Sequence, residues 1–511
     1  MSTANRIIKN TGYLYLKMGI TVFISLYTTR LILNSLGASD YGIYNIVGGA
    51  IALLGFFNST MANATQRFMS YAEGEGNIDS KRKIFNVSLI LHLGVAFLSL
   101  VLLLAFMYPL FHNFLNIDSD RIIASKVVYL CLVFSTMLTI VNVPYDSVMN
   151  AHENMRYFAF VGIIESLLRL IIAFIIVYTS KDKLIIYGIL SSIVPLITLT
   201  IMKLYCHRHY NECRIAPRRY WDIKLVKEIF SFSGWNFLTA ITSLFTFQGL
   251  GLVLNHFYGT VLNAAQGIAQ QVNGQLTSCA TNMMKALNPV IVKSVASGNS
   301  QSINGITISG CKYSTYIILL FAVPFLIELP FILKVWLKYV PLWTGTFCAL
   351  QIVLTIICQM ASSAATAIYG KGEIKGYAIY KSIMNISPII LTYISFKLDG
   401  SPYWLYIPMI VTWGIGGDMV IVMYAKRKCN LDVKKYIMGV VNPIIIVTAL
   451  MFIFGYLPTL IMQEGFFRLV ITIMATTMGM IIAMGTKGMN DTEKLFVKNL
   501  ILQRLGKSLK E

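Results

Sequence analysis

Long apolar runs recur along the chain from Thr11 to Met484, separated by short polar segments. Each run has about 20 residues or more, which is the length at which an α-helix crosses a hydrocarbon core about 30 Å thick. The pattern predicts about 14 membrane-spanning helices and no large domain outside the membrane. We place the spans at Thr11–Asn34, Tyr41–Ala62, Phe85–Leu110, Ile122–Val143, Phe158–Tyr178, Leu184–Leu204, Ile229–Leu254, Val261–Leu287, Tyr313–Val335, Trp343–Ile368, Tyr377–Phe396, Tyr403–Tyr424, Ile437–Leu457 and Phe466–Met484.

Composition supports this all-α polytopic membrane fold. Hydrophobic residues make up 56% of the chain and charged residues 13%, whereas soluble domains carry roughly 25% charged residues. Of the eight cysteines, those outside the spans fall on or near the predicted cytoplasmic side, where thiols stay reduced. We therefore expect no disulfide.

The net charge of +20 has two interpretations, nucleic-acid binding or membrane topology. Position decides for topology, because with a cytoplasmic N-terminus about 28 of the 42 Lys and Arg residues fall in cytoplasmic segments and about five in external ones. The basic clusters are Lys81-Arg82-Lys83, Arg214 with Arg218-Arg219, and Lys426-Arg427-Lys428 with Lys434-Lys435. We expect cytoplasmic N- and C-termini, contact with anionic membrane lipids and no nucleic-acid partner.

Two stretches of the chain resemble each other. Leu31-Ile32-Leu33-Asn34 ends the first span and Leu252-Val253-Leu254-Asn255 ends the seventh; Gly76-Asn77 follows the second span and Gly298-Asn299 the eighth. Chance similarity between apolar sequences is one explanation. The other is a parallel repeat, a transporter plan with the substrate site between the halves. We predict lobes of roughly six helices each at residues 1–220 and 221–428, with a two-helix hairpin and a basic cytoplasmic tail at 429–511.

Polar residues recur at helical spacing on one face of the first and eighth spans. The first span carries Lys17, Thr21, Ser25 and Thr28, with Arg30 near its external end; the eighth carries Asn263, Gln266, Gln270, Asn273, Thr277, Thr281 and Lys285; Asn45 adds to them from the second. Such faces are either buried against protein or line a wet translocation cavity. The first and eighth spans hold no Asp or Glu, so a cavity lined by them would be cationic and would attract phosphate or diphosphate. Lysines near helix ends can instead extend to the lipid headgroups.

Several polar and charged motifs in the chain resemble parts of enzyme sites, but each also has a structural explanation. Asp118-Ser119-Asp120 falls in a short external loop, away from cytoplasmic nucleotide sugars, and loop chemistry explains it better. No GxxxxGK[ST] phosphate loop is present, so the chain has no means of its own to hydrolyse ATP. Glu165 and Arg169 stand four residues apart and can pair on one helix face. Asp418 and Lys381 could pair across helices.

The opening of the sequence is similar to a known family. Arg30, then Leu36-Gly37-x-x-Asp40-Tyr41-Gly42-x-Tyr44, then Gln66-Arg67-Phe68, resemble the first two helices of bacterial polysaccharide-repeat flippases, the O-antigen and capsule exporters of the multidrug/oligosaccharidyl-lipid/polysaccharide (MOP) superfamily. The resemblance implies a MATE-like two-lobe bundle in the inner membrane that flips an undecaprenyl-diphosphate-linked oligosaccharide to the periplasmic leaflet by alternating access. It also implies that the cavity cations of the family correspond to Lys17, Arg30 and Lys285.

The sequence leaves two rival functions open. One is a cation-coupled multidrug or metabolite exporter of the same superfamily. Such exporters bind the coupling ion and organic cations with a membrane-buried carboxylate. The other is a membrane enzyme of polysaccharide assembly, although no external loop is long enough to carry its catalytic residues. We expect no cofactor; coupling to Na⁺ or H⁺ stays open, with no site assigned. Besides membrane lipids and the polyprenyl-diphosphate-linked oligosaccharide, other polysaccharide-assembly proteins are expected partners.

Overall fold

A computed structural model describes residues 3–52, 55–114, 117, 119–258, 260–297, 300–337, 340–491 and 493–495. Within these ranges the chain is helical and contains no strand. The helices are α1 (Thr3–Ala52), α2 (Gly55–Glu75), α3 (Ile78–Pro109), α4 (Ile122–Ala151), α5 (Met155–Tyr178), α6 (Lys183–His209), α7 (Pro217–Tyr220), α8 (Ile223–Tyr258), α9 (Thr260–Ala296), α10 (Ser300–Ile327), α11 (Leu329–Trp336), α12 (Thr344–Met360), α13 (Ser362–Lys371), α14 (Lys375–Lys397), α15 (Gly417–Cys429), α16 (Val433–Tyr436), α17 (Asn442–Ile461) and α18 (Phe466–Ala483). Short π-helical segments lie at Leu110–Phe114, Met409–Gly416, Ile437–Val441 and Met484–Gly488.

Many of these helices can cross a membrane. In the described part of the chain, ten are long and apolar enough, and eleven if α12 and α13, which meet at a 42° bend, form one span. The all-helical membrane fold predicted from the apolar runs is thus present. The count of about 14 spans stays a prediction.

The chain divides into two compact units. Unit 1 comprises Met1–Ala240 and Lys285–Ser297, and unit 2 comprises Ile241–Met284 and Gly298–Glu511. Helix α9 therefore contributes its first part to unit 2 and its last part to unit 1. The three-part division predicted at residues 220 and 428 stays a prediction; α17 and α18 belong to unit 2. The Gly298-Asn299 pair of the proposed repeat lies outside the described residues, as does Asp118.

Unit 1 is built around α4, which packs against α2, α3 and α6, while α1 packs along α5. Phe85, Tyr145 and Met149 form an apolar core near the start of α3, and Tyr129 is fully buried in a second core. The Tyr129 hydroxyl donates a 2.6 Å hydrogen bond to the Leu103 carbonyl oxygen, which satisfies the one polar group of this ring inside the core.

Two backbone features of unit 1 were hidden in the sequence. Gly37 breaks α1 with a φ of 76°, a conformation that glycine adopts without the steric cost of a Cβ. Helix α4 passes through the buried Pro144 and ends at Ala151, although the predicted span ended at Val143. Membrane helices tolerate proline where neighbouring helices and side chains satisfy the freed backbone groups. The part of α4 after Pro144 includes one acidic residue, Asp146.

The turn between α4 and α5 holds the end of α9 in unit 1. Glu153 in this turn has a φ of 56°, and only 2% of its side chain is exposed. Its carboxylate accepts from Lys293 Nζ at 2.8 Å and lies 2.7 Å from Arg6 Nε. A Cβ at Gly74 would stand 2.8 Å from the α-carbon of Lys293, so the end of α2 also lies directly against α9.

In unit 2 the buried core includes Leu250, Phe347 and Tyr406, from α8, α12 and the segment before α15. The α17–α18 hairpin is fastened to α10 and the residue after it. Fully buried Glu328 accepts from Arg468 Nη2 at 2.7 Å and from the Thr472 hydroxyl at 2.8 Å. Away from this pair, Lys312 of α10 pairs with Glu493.

Candidate functional site

Two lysines predicted as cavity cations meet on one aromatic ring in unit 1. Nζ of Lys285, from the last part of α9, lies 3.5 Å from the ring centroid of Phe158 on α5. Nζ of Lys17, from α1, lies 4.7 Å from the same centroid. An aromatic face attracts a cation, with about 0.5–2 kcal/mol depending on how far water is excluded. Two separate helices thus deliver two positive groups to one place.

A small apolar cluster and one glycine make this arrangement possible. Leu14, Met155 and Ala286 are almost completely buried and pack with Phe158, so α1, α5 and α9 are held together at this level. Gly162, one turn along α5 from Phe158, leaves room for the Lys17 side chain. A Cβ at Gly162 would overlap Lys17 Cε and stand 2.6 Å from Nζ.

A carboxylate accompanies the two lysines. Asp146 of α4 interacts electrostatically with Lys285 and with Lys17, and Glu165 of α5 interacts with Lys17 in the same way. Helix α4 extends past Pro144 and brings this carboxylate near two predicted spans that hold no Asp or Glu of their own. Two ammonium groups against one carboxylate leave one positive charge when all three are ionised. Glu165 and Arg169, paired at 2.9 Å as the sequence suggested, add no net charge.

Other predicted residues of α1 lie away from this point. The Thr21 hydroxyl donates to the carbonyl of Met18 at 3.1 Å within the helix, and Ser25 and Arg30 are exposed. Arg30 stands 13 positions after Lys17 in the sequence, about 20 Å along an α-helix, so it does not join the lysine pair. The Asn45 side chain lies outside the described residues.

The polar face of α9 in unit 2 is partly buried. Gln266 is buried, Asn263 and Gln270 are half-buried, and Asn273 Oδ1 accepts a 2.6 Å hydrogen bond from the Thr355 hydroxyl. The buried-helix interpretation therefore applies to part of this stripe. Thr281 of the predicted stripe is exposed, and so are three neighbouring polar residues that sequence spacing did not single out: Gln271, Gln275 and Ser278.

The motif residues that carry the family resemblance have structural roles in unit 1. Asp40, three positions after the break at Gly37, is bound by the Arg121 guanidinium, which also donates to Asp182 at 2.9 Å. The hydrogen bond from Arg121 to Asp40 raises the pKa of Arg121 above its ordinary value. The guanidinium of Arg67 on α2 lies 5.4 Å from the ring centroid of Phe232 on α8. These residues hold helices together rather than extend the lysine pair.

The second pair suggested by the sequence lies in unit 2. The Lys381 ammonium donates to the carbonyl oxygen of Trp413 at 3.3 Å, within the π-helical segment, and its pairing with Asp418 stays a prediction. A Cβ at Gly417 would overlap Lys381 Nζ. Glycine at this position lets the lysine lie against the helix backbone.

Comparison with known proteins identifies the family. Residues 7–295 match the family described as "Polysaccharide biosynthesis protein", which is more than half of the chain. The chain belongs to this family. No curated protein sequence matches it.

Solved structures show which fold the family member adopts. A crystal structure of MATE in the bent conformation matches with a TM-score of 0.70 at 13% identity, covering 83% of this chain and 95% of that one. The outward-facing conformation of a multidrug resistance MATE family transporter of the MOP superfamily matches with a TM-score of 0.70 at 12% identity, covering 83% and 95%. A MOP superfamily transporter from Pyrococcus furiosus, whose binding pocket is described as having reverse polarity, matches with a TM-score of 0.69 at 13% identity, covering 83% and 95%.

These likenesses confirm the resemblance seen in the first 80 or so residues. This member of the polysaccharide biosynthesis family is a multi-pass membrane protein with the MATE-like fold of MOP superfamily transporters. The assignment of Lys17, Arg30, Lys285 and the α9 amides to substrate binding stays a prediction.

Proposed function

We propose that this protein moves a polyprenyl-diphosphate-linked oligosaccharide, with undecaprenyl as the lipid, from the cytoplasmic to the periplasmic leaflet of a bacterial inner membrane. The observation that carries the proposal is the meeting of Lys17 and Lys285 on Phe158. Ionisable groups inside a membrane protein are costly and are kept where they serve a purpose. Two lysines at one point offer a diphosphate the charge that it needs away from bulk water.

Charge magnitudes support a diphosphate as the bound group. Opposite unit charges 4 Å apart attract by about 4 kcal/mol at an effective dielectric constant near 20. Two ammonium groups therefore offset a substantial part of the cost of dehydrating the diphosphate. Asp146 interacts electrostatically with the same lysines, so the arriving diphosphate competes with this carboxylate for them. Binding is then strong enough to select the anion and weak enough to release it.

The proposed orientation follows from the basic clusters. Lys81-Arg82-Lys83 and Lys426-Arg427-Lys428 lie at helix ends on the side predicted to be cytoplasmic, as membrane insertion favours. Both termini are then cytoplasmic. In this proposal the protein is a transporter and not an enzyme, and Na⁺ or H⁺ binding at Asp146 would release the lysines and couple transport to an ion gradient.

Deleting the gene and following the lipid-linked glycan tests the function. A membrane-impermeant reagent that modifies the sugar would distinguish glycan on the periplasmic leaflet from glycan on the cytoplasmic one. We expect the lipid-linked glycan to accumulate on the cytoplasmic leaflet and surface polysaccharide to disappear, with both restored by the wild-type gene. Normal glycan export in the deletion strain would contradict the proposal.

Asp146 favours a second candidate, the cation-coupled exporter of drugs or metabolites. A carboxylate within the helices of unit 1 could bind an organic cation, a sodium ion or a proton. The Asp146→Asn variant separates the two functions by the cargo affected. An exporter would lose drug tolerance while glycan export continues, whereas a glycan flippase would show its change in glycan export with drug tolerance unaltered.

A further inference from the structure

Three potential metal ligands meet at the end of unit 1 where α2, α4 and α6 terminate. They are Glu73 near the end of α2, His152 in the turn after α4, and Glu212 in the segment after α6. One ligand atom from each lies within 4.8 Å of the other two. The residues are far apart in the sequence, so only the folded unit assembles them.

The surroundings hold each side chain in place. Glu212 is buried, with 3% of its side chain exposed, and Glu73 and His152 are largely covered at 20% and 22%. The His152 ring stacks on Tyr210, with ring centroids 4.2 Å apart and planes 10° apart. Lys81 Nζ binds Oε2 of Glu73 at 2.7 Å, which leaves Oε1 of Glu73 facing the histidine.

The two carboxylates face different nitrogens of the His152 ring. Nε2 contacts Glu212, and Nδ1 lies 3.3 Å from Oε1 of Glu73. A neutral imidazole has one N–H and one lone pair, so it satisfies only one of the two carboxylates with a hydrogen bond. The contact with Glu73 is longer than a charge-assisted hydrogen bond, which is typically about 2.7–2.9 Å, so Oε1 of Glu73 keeps a lone pair for another ligand.

We propose that Glu73, His152 and Glu212 form a binding site for a divalent transition-metal ion of the zinc class. One imidazole nitrogen and two carboxylate oxygens are a ligand set that Zn²⁺ accepts, with water in the fourth position. Metal–ligand bonds of about 2.1 Å place tetrahedral ligand atoms roughly 3.4 Å apart. His152 faces Glu212 with Nε2 and Glu73 with Nδ1, so the Glu73 carboxylate would turn toward the Nε2 edge of the ring for one ion to be bound by all three residues.

The bound ion would tie together three segments of unit 1. These are the end of α2, the α4–α5 turn and the segment after α6, and the turn also carries Glu153 with its partners Arg6 and Lys293. The bound ion would therefore have a structural role, stabilising this end of unit 1. This proposal does not depend on which cargo the protein carries.

The wild-type protein, purified in detergent and stripped with a chelator, gives the first test. Titration with Co²⁺ should produce visible absorption bands of a protein-bound ion at one equivalent, and Zn²⁺ should abolish them. Zn²⁺ should also raise the midpoint of thermal unfolding. Absence of the bands together with no thermal shift would overturn the proposal without any variant being made.

Variants then assign the ligands. His152→Gln and Glu212→Gln should each reduce retained zinc, measured by elemental analysis after dialysis, by about one equivalent. Glu212→Asp, which keeps the charge, should weaken zinc binding at least tenfold and serves if Glu212→Gln fails to fold. His209→Gln, a change at the exposed last residue of α6, is the control and should retain the metal. Equal zinc in all the proteins would overturn the site.

Discussion

The carboxylate of Glu153 accepts a 2.8 Å hydrogen bond from Nζ of Lys293, although 140 residues separate the two in the sequence. The other oxygen lies 2.7 Å from Arg6 Nε. A buried carboxylate between two cations joins the start of α1, the α4–α5 turn and the end of α9 within unit 1. This contact depends on charge, and its loss can be measured.

Glu153→Gln keeps the shape of the side chain and removes its charge. Breaking a buried ion pair from one side typically costs about 3–5 kcal/mol, because the partner charge stays buried. We expect the variant to unfold at a clearly lower temperature than the wild type, measured by intrinsic fluorescence in detergent. Glu75→Gln, at an exposed position near the end of α2, is the control and should change little. Equal stability of the two variants would mean that the Glu153 contacts do not hold the unit.

Lys17 and Lys285 test the proposed diphosphate site directly. Lys17→Gln and Lys285→Gln should each reduce glycan export at least tenfold, and the double variant should abolish it, because each removes one positive charge from the ring of Phe158. Export is measured as surface polysaccharide in the deletion strain at matched membrane levels of protein. Lys203→Gln, at an exposed lysine of α6, should complement fully. Full complementation by the double variant would exclude a role for this pair in transport.

Gly162 allows a test that leaves every charge in place. Gly162→Ala adds a Cβ that would overlap Lys17 Cε, so the lysine must leave its position over Phe158. We expect a lower export rate with normal insertion and a near-normal unfolding temperature. Gly94→Ala, in α3 with no atom within 4 Å of the new Cβ, is the matched change. Unaltered export in Gly162→Ala would show that the exact position of the Lys17 ammonium is unimportant.

The pair of Glu328 and Arg468 supports the α17–α18 hairpin. Glu328→Gln should lower the unfolding temperature strongly, since the fully buried carboxylate also accepts from Thr472; about 3–5 kcal/mol is typical for such a loss. Glu464→Gln, at an exposed residue before α18, should be neutral. Limited proteolysis provides a second measurement, with faster cleavage after α18 expected in Glu328→Gln. An unchanged cleavage rate together with an unchanged unfolding temperature would disprove this role.

The apolar runs of the sequence predicted the helices well, because a helix that crosses the hydrocarbon core needs about 20 consecutive apolar residues. It also selected Lys17 and Lys285, since a lysine inside an apolar run has few explanations. That both would lie on Phe158 could not be predicted, because the crossing of α1, α5 and α9 depends on packing around Leu14 and Ala286. Arg30 was grouped with them by its charge and by the family resemblance, and it lies 13 positions after Lys17 in the sequence, about 20 Å along an α-helix.

Asp146 was missed for an identifiable reason. The predicted fourth span ended at Val143, so Asp146 fell outside the predicted helices. In the structure α4 continues to Ala151 with Pro144 buried, and the carboxylate falls beside the two lysines. The signal that could have revealed it is the continued helical sequence after the proline, Tyr145 to Ala151, which lacks glycine and turn dipeptides.

Two ion pairs attach the α17–α18 hairpin and the segment after it to α10, which has a consequence for movement. One joins Arg468 of α18 to Glu328, just after α10. The other joins Glu493, in the segment that follows α18, to Lys312 of α10, which lies 16 positions before Glu328, about 24 Å along a helix. A hairpin held at one point could pivot, but one held at two separated points cannot turn without breaking an ion pair. During any conformational cycle α10, α17 and α18 should therefore travel as one rigid body.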